Sequence, residues 1–157
     1  MNSGEFYFID ASYFVDFPDK YLEKNKEILN GISHNRPCFY SFQDKKTGLY
    51  WMIPFSSRTE KYRKIYEDKI QRYHTCDTIV FGYVLGYEKA FLIQNMFPIS
   101  NKYIKELYLH NNNPVKVDKR LETELIKKAT KVLQLARGGR KVIFPDVFAI
   151  ERKLLEN

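Results

Sequence analysis

The run Trp51-Met52-Ile53-Pro54-Phe55-Ser56-Ser57-Arg58-Thr59-Glu60-Lys61-Tyr62-Arg63-Lys64 decides how the rest of the chain is read. It starts apolar, turns polar at two adjacent hydroxyls and continues into a segment dense in Lys and Arg. Leu49 to Ile53 reads as a strand. Pro54 has no N–H to give a sheet ladder, which places that strand at a sheet edge or near its own end. Ser56 and Ser57 then fall where strand gives way to helix, and Ser is a good N-cap for the orphan N–H groups of a first turn. A helix start also attracts phosphate, because its free N–H groups and its dipole face the anion. Two hydroxyls, a helix start and nearby cations therefore converge on one spot. The plainer alternative is a Ser-capped helix with a solvated basic face.

Downstream of this run, Tyr62, Ile65, Tyr66, Lys69, Ile70 and Tyr73 recur at helical spacing and predict a helix from Thr59 to Tyr73. Arg63, Lys64 and Arg72 lie on its other face. Upstream, Glu5 to Asp10 is aromatic and β-branched and predicts a first strand. Asp10 or Ser12 caps a short helical piece through Tyr13, Phe14 and Val15, which Phe17-Pro18-Asp19 breaks. Tyr21 to Gly31 is charged and mixed, and reads as surface helix or loop. Ser33-His34-Asn35-Arg36-Pro37 leads into a second strand, Cys38 to Phe42, and Asp44 to Gly48 turns the chain back.

Thr78 to Leu85 predicts a strand with a bend at Gly82. Gly86 to Lys89 reads as a turn, Ala90 to Gln94 as another strand and Asn95 to Ile99 as an irregular edge. Ser100 caps a helical piece from Lys102 to Leu107. Asp118 caps the longest helix, Lys119 to Arg137, with an apolar face of Leu121, Leu125, Ile126, Ala129, Val132, Leu133 and Ala136. Gly138-Gly139 ends it. Pro145-Asp146 opens a last helix with Val147, Ile150, Leu154 and Leu155 facing inward. Strands come first and helices last, so the expected class is α+β with an antiparallel sheet. A chain of 157 residues suits one domain, 1–157.

Hydrophobic residues make up 44% of the chain, which excludes a disordered protein. A net charge of +7 with 12 Tyr and 12 Phe favours nucleic acid as partner, through counterion release and base stacking. Cys38 and Cys76 make neither a disulfide framework nor a zinc site. His34, His74 and His110 have no ligand-like spacing, and His74 with Cys76 and Asp77 falls short of the four ligands of structural zinc. No metal and no cofactor are expected. Arg137-Gly138-Gly139-Arg140 reads as a helix end rather than a phosphate loop. The Ser pair lacks the Gly-x-Ser-x-Gly elbow of acyl-transfer hydrolases. No apolar run approaches the ~20 residues of a membrane span, and the N-terminus lacks the pattern of a signal peptide. The expected setting is the cytoplasm.

What remains is metal-free chemistry on a phosphodiester. RNA is cut by its own 2′-OH when a base activates that hydroxyl and cations stabilise the phosphorane. Arg suits the second task through bidentate contact. Ser hydroxyls orient or donate to the phosphate, and a Lys supplies charge or proton transfer. Arg36, Ser56, Ser57, Arg58 and Lys61 are the candidates. For each cation, a solvated surface position is the alternative.

Two of these features together resemble the ribonuclease toxins of the MazF/Kid superfamily: Arg36-Pro37 at the head of a strand, and the strand Ile53-Pro54-Phe55 ending in Ser56-Ser57. The closer resemblance is to the type III branch, the ToxN/AbiQ/CptN group, over nearly the whole length. It rests on Phe6-Tyr7-Phe8-Ile9 with Tyr13, on Pro54-Phe55-Ser56-Ser57 followed by a basic helix, and on the C-terminal helical pair.

This resemblance implies an SH3-like, partly closed antiparallel β-barrel with added surface helices. It implies a metal-independent endoribonuclease toxin that leaves 2′,3′-cyclic phosphate and 5′-OH ends. Such toxins cut mRNA and their own repeat RNA precursor and are inhibited by a small pseudoknot RNA antitoxin. They often close into a toxin–RNA ring such as a heterohexamer, and phage exclusion recurs among them. Ser57 matches the family's key Ser, Ser56 its neighbour and Arg36 the MazF-type Arg. The family Lys after the Ser pair is met by Arg58 or Lys61, a choice the sequence leaves open. Expected RNA-binding residues are Tyr13, His34, Arg63, Lys64, Arg72, Lys127, Lys128, Lys131, Arg137, Arg140 and Lys141. The other readings are a non-catalytic RNA-binding module and a MazF-type toxin with a protein antitoxin.

Overall fold

A computed structural model describes residues 1–22, 26–29 and 32–156, and for 26–29 and 32–35 the backbone only. The chain opens with β1 (Phe6–Ile9) and passes straight into α1 (Ala11–Asp16), where Asp10 caps by accepting from the Ser12 N–H at 2.9 Å. β2 (Lys26–Leu29) and β3 (Ile32–Asn35) pair antiparallel with each other. Within the stretch expected as helix or loop, residues 26–29 are thus a strand; pairing with the next segment overrides a locally mixed pattern. Residues 23–25, 30 and 31 of that stretch lie outside the described residues.

β4 (Pro37–Gln43) and β5 (Tyr50–Ile53) follow as expected, joined by the Asp44–Gly48 turn. Pro54 then divides one extended segment between two sheets. β5 belongs to a five-stranded sheet, and β6 (Phe55–Ser56) starts a three-stranded one. After α2 (Thr59–Tyr73) come β7 (Ile79–Val84) and β8 (Tyr87–Leu92), a 3₁₀ turn at Ile93–Asn95, and β9 (Phe97–Ile99). The segment from β8 to β9 makes the same crossing in the opposite direction. β8 pairs with β6 and β9 pairs with β5, while the Leu92 N–H donates to the Pro54 carbonyl at 2.9 Å between them.

Three expectations change here. Lys102 to Leu107 is not helical: a 3₁₀ turn spans Asn101–Tyr103, Ser100 makes no side-chain cap, and β10 (Ile104–Leu107) pairs with β1. A helix of only six residues is marginal by itself, and the segment pairs with β1 instead. Gly82 marks no bend. It sits inside β7 opposite Lys89, and an added Cβ would collide with Leu121 Cδ2, so the glycine makes room for a core leucine. The turn of the β7–β8 hairpin is Leu85-Gly86, both at positive φ, which leaves Tyr87 to Lys89 in the strand.

β11 (Leu109–His110) and β12 (Asn113–Pro114) form a small hairpin with Asn111 and Asn112 at positive φ. α3 (Lys119–Arg137) runs between its expected ends, with the Asp118 carboxylate accepting from the Leu121 N–H at 2.8 Å. α4 (Val147–Leu155) buries Val147, Ile150 and Leu154, but Leu155 is exposed, one position past the inward stripe.

The five-stranded sheet runs β10-β1-β4-β5-β9 and the three-stranded sheet β6-β8-β7, with every pairing antiparallel. Among the described residues these sheets do not close into a barrel. Side-chain alternation sends Phe6, Phe39, Trp51 and Ile53 to one face, where they meet Val80, Val84 and Phe91 of the second sheet and Leu121, Leu125, Ala129 and Val132 of α3. Tyr7, Ile9, Cys38, Tyr40 and Met52 go to the other face, under α1, Tyr103 and α4. The class is α+β, with antiparallel sheets and helices.

Candidate functional site

The site forms where β6 leaves the second sheet and α2 begins. Ser56 is buried and stands opposite Ala90 in the ladder. Its Oγ accepts from the Arg58 N–H at 3.1 Å, which closes a tight corner before the helix. The N-cap of α2 is Arg58, with no side-chain cap bond, so neither serine caps the helix as expected. The ladder explains this: it holds Ser56 in strand geometry two residues before the N-cap. Ser57, one step further, is turned out to solvent.

Continuing the β6–β8 register past Ser56 and Ala90 brings Ser57 beside Lys89. The Lys89 Nζ donates to the Ser57 Oγ at 2.7 Å. Arg36, half-buried just before β4, donates through Nη2 to the Phe55 carbonyl at 3.1 Å, two residues before Ser57. The fold therefore assembles Arg36, Ser56, Ser57, Arg58 and Lys89 from three separate parts of the chain. Lys61 lies further along, with its ammonium 5.2 Å from the Tyr62 ring centroid.

The geometry suits an anion with an oxygen to place. A hydroxyl accepts and donates at once. With Lys89 supplying the hydrogen bond that the Ser57 oxygen accepts, the Ser57 O–H is left to donate outward. Lys89 keeps further N–H donors for the same target. Arg58 is exposed beside them.

Lys89 is absent from the sequence reading, which places Gly86 to Lys89 in a turn. The local signal is weak, because Leu85 adopts a positive φ that its residue type disfavours; once the turn is placed there, Tyr87, Lys89 and Phe91 alternate along one face of β8.

The expected RNA-binding residues divide into groups. Tyr13 is fully buried among Phe14, Phe17, Phe97 and Tyr103, and its phenol donates to the Pro98 carbonyl at 2.8 Å; it is a core residue and offers no surface to RNA. Five cations are answered by carboxylates of the same chain: Arg63 by Glu88 at 2.8 Å, Arg72 by Asp68 at 3.4 Å, Lys128 by Glu124 at 2.9 Å, Lys131 by Asp77 at 2.8 Å, and Arg137 by both Glu151 and Asp44. The Arg63 guanidinium carbon also lies over Phe81, 3.9 Å from the ring centroid. Lys64, Lys127, Arg140 and Lys141 are exposed. The side chain of His34 lies outside those described.

Among the described residues, no group of His, Cys, Asp and Glu is placed to hold a metal ion. Of the trio weighed from the sequence, His74 ends α2 in the left-handed conformation, Cys76 contacts Thr78, and Asp77 pairs with Lys131. Among the described residues, no helix is long and apolar enough to cross a membrane. No protein-family model and no curated protein matches the chain.

Proposed function

We propose that the chain is a metal-independent endoribonuclease toxin of the type III kind, cutting RNA at the Ser57–Lys89 pair. The observation that carries this reading is the 2.7 Å hydrogen bond from Lys89 to Ser57, beside Arg36 and Arg58, in a chain of net charge +7. In the proposed reaction the ribose 2′-oxygen attacks phosphorus, losing its proton, and the P–O5′ bond breaks as O5′ gains one. The products carry a 2′,3′-cyclic phosphate and a 5′-OH. Ser57 donates to a non-bridging oxygen, and Lys89 and Arg58 offset the negative charge that builds on the phosphorane. Lys89 thus fills the role that the sequence left between Arg58 and Lys61.

The partner in this reading is RNA twice over, as substrate and as a pseudoknot antitoxin that assembles with the toxin into a ring. Of the expected RNA-binding residues, Lys64, Lys127, Arg140 and Lys141 are exposed cations that can meet its phosphates. The matching fold is an SH3-like, partly closed barrel. The two segments that cross together from one sheet to the other at Pro54 and Leu92 support it.

The test is cleavage of a repeat-containing RNA in EDTA by wild type, Ser57→Ala and Lys89→Met, with end-group analysis. Cyclic-phosphate products that are lost in both variants support the proposal. Tight binding with no cleavage by any of the three leaves a non-catalytic RNA-binding module instead.

A further inference from the structure

Tyr87 is 72% exposed, although it begins a strand whose later members Ala90, Phe91 and Leu92 are fully buried. The Leu85-Gly86 turn places it two residues before Lys89, so the two side chains leave the same face of β8. The Lys89 ammonium lies 6.0 Å from the Tyr87 ring centroid and 2.7 Å from the Ser57 Oγ. One cation therefore links a bare aromatic face to the hydroxyl of the proposed cleavage site.

The other exposed tyrosine of this hairpin is set differently. Tyr83 is 63% exposed, but it stands in register with Glu88 and so leaves the opposite face, beside a carboxylate paired with Arg63. That ion pair carries no net charge to draw a phosphate backbone. The surroundings of Tyr87 attract one.

We infer that Tyr87 is a stacking platform for an unpaired nucleobase of single-stranded RNA, adjacent to the phosphate held by Ser57 and Lys89. Every base has a π-face, and an exposed aromatic ring flanked by a backbone-binding cation is how single strands are gripped without base pairing. The inference rests on the proposed function for the position of that phosphate, and the ring contact itself is tested separately from cleavage.

Two measurements on the full chain decide it. In the first, Tyr87→Trp and Tyr83→Trp are titrated with uncleavable, 2′-O-methylated single-stranded oligoribonucleotides of mixed sequence. Trp51 is fully buried, so its emission is a constant background. Emission that falls with RNA in Tyr87→Trp and holds in Tyr83→Trp is the expected result. Equal quenching in both variants, quenching only in Tyr83→Trp, or no change in either overturns the inference. In the second, cleavage of the unmodified RNA by Tyr87→Ala is compared with Tyr87→Phe. The expected result is a KM raised about tenfold in the first, the size of one lost base stack, and restored in the second. Quenching without cleavage by wild type retires the endonuclease reading and keeps the platform. Cleavage with an unmoved KM and no quenching retires the platform alone.

Discussion

The Arg137 guanidinium holds the Glu151 carboxylate with two hydrogen bonds, of 3.0 and 2.9 Å, and its Nη2 also donates to Asp44. One arginine thereby ties the end of α3 to α4 and to the β4–β5 turn. The bonds to Glu151 lead in holding its pKa above the usual arginine value. The two carboxylates are 10% and 11% exposed, and they lose their shared cation if Arg137 is removed. Arg137→Ala is expected to lower stability by about 1–3 kcal/mol, read from the urea midpoint. The salt dependence of RNA binding should stay unchanged, whereas Arg140→Ala should flatten its slope by about one unit. A flattened slope in Arg137→Ala would return that residue to the RNA surface.

Gly82 predicts a clash with a named partner. A methyl at this position collides with Leu121 Cδ2 and lies 2.8 Å from its Cδ1 inside the core. Gly82→Ala should cost about 1–3 kcal/mol by overpacking. Combining it with Leu121→Ala should cost less than the sum of the two single changes, because the new methyl occupies space that the leucine vacates. Thermal or urea unfolding of the four proteins measures the coupling. Strict additivity would show that the contact is relieved elsewhere.

Burial pushes the Tyr13 phenol well up, with smaller contributions from Cys38, Tyr103 and Asp19. Burial likewise leads in raising Tyr7, Tyr40 and Tyr103. In the unfolded chain these phenols ionise near their ordinary value of about 10. The folded state keeps their protons to higher pH, so it binds more protons than the unfolded state in that window. Their contribution to stability is fully present below about pH 10 and is lost as pH climbs toward the raised folded values. Tyr13→Phe should cost about 1 kcal/mol at neutral pH, from the lost bond to Pro98, and should make the alkaline decline shallower. Denaturant melts across the alkaline range, followed by the ultraviolet signal of phenolate, check both effects.

Ser57 and Lys89 should behave as one unit in RNA cleavage. Ser57→Ala and Lys89→Met are each expected to lower kcat by about 10²–10³, the usual effect of removing one donor to a developing oxyanion. The double variant should be only slightly worse than the poorer single one. Multiplying effects would mean that the 2.7 Å bond between them has no part in the reaction.

The aspartate-capped helix starts were the most legible part of the sequence, whereas Ser56, Ser57 and Ser100 provide no side-chain cap to a helix. Asp118 and Gly138-Gly139 bound α3, and Asp10 and Asp146 cap α1 and α4, because caps are written locally. β10 was misread because Lys102 to Leu107 carries no local strand signature; what makes it a strand is β1, nearly a hundred residues earlier. The same limit hid Lys89. Ser56, Ser57 and Arg58 announce themselves as a run, and Arg36 stands out before Pro37, but Lys89 gains its meaning only from the β6–β8 register. The charge count pointed to a basic surface without showing that Arg63, Arg72, Lys128, Lys131 and Arg137 are engaged by carboxylates of the same chain.

The crossing at Pro54 also sets when the site exists. Ser57 and Lys89 are 32 residues apart in sequence, and β8 meets β6 only by closing the loop that contains α2. Pairings of such separation form after local helices and turns. Lys89 is in turn opposite Gly82, whose space is filled by Leu121 from the start of α3. A chain leaving the ribosome N-terminus first has its two serines out long before the helix that packs behind their partner strand. The nascent chain therefore carries its two serines before it carries Lys89, and the pair is complete only once β8 has emerged and paired with β6.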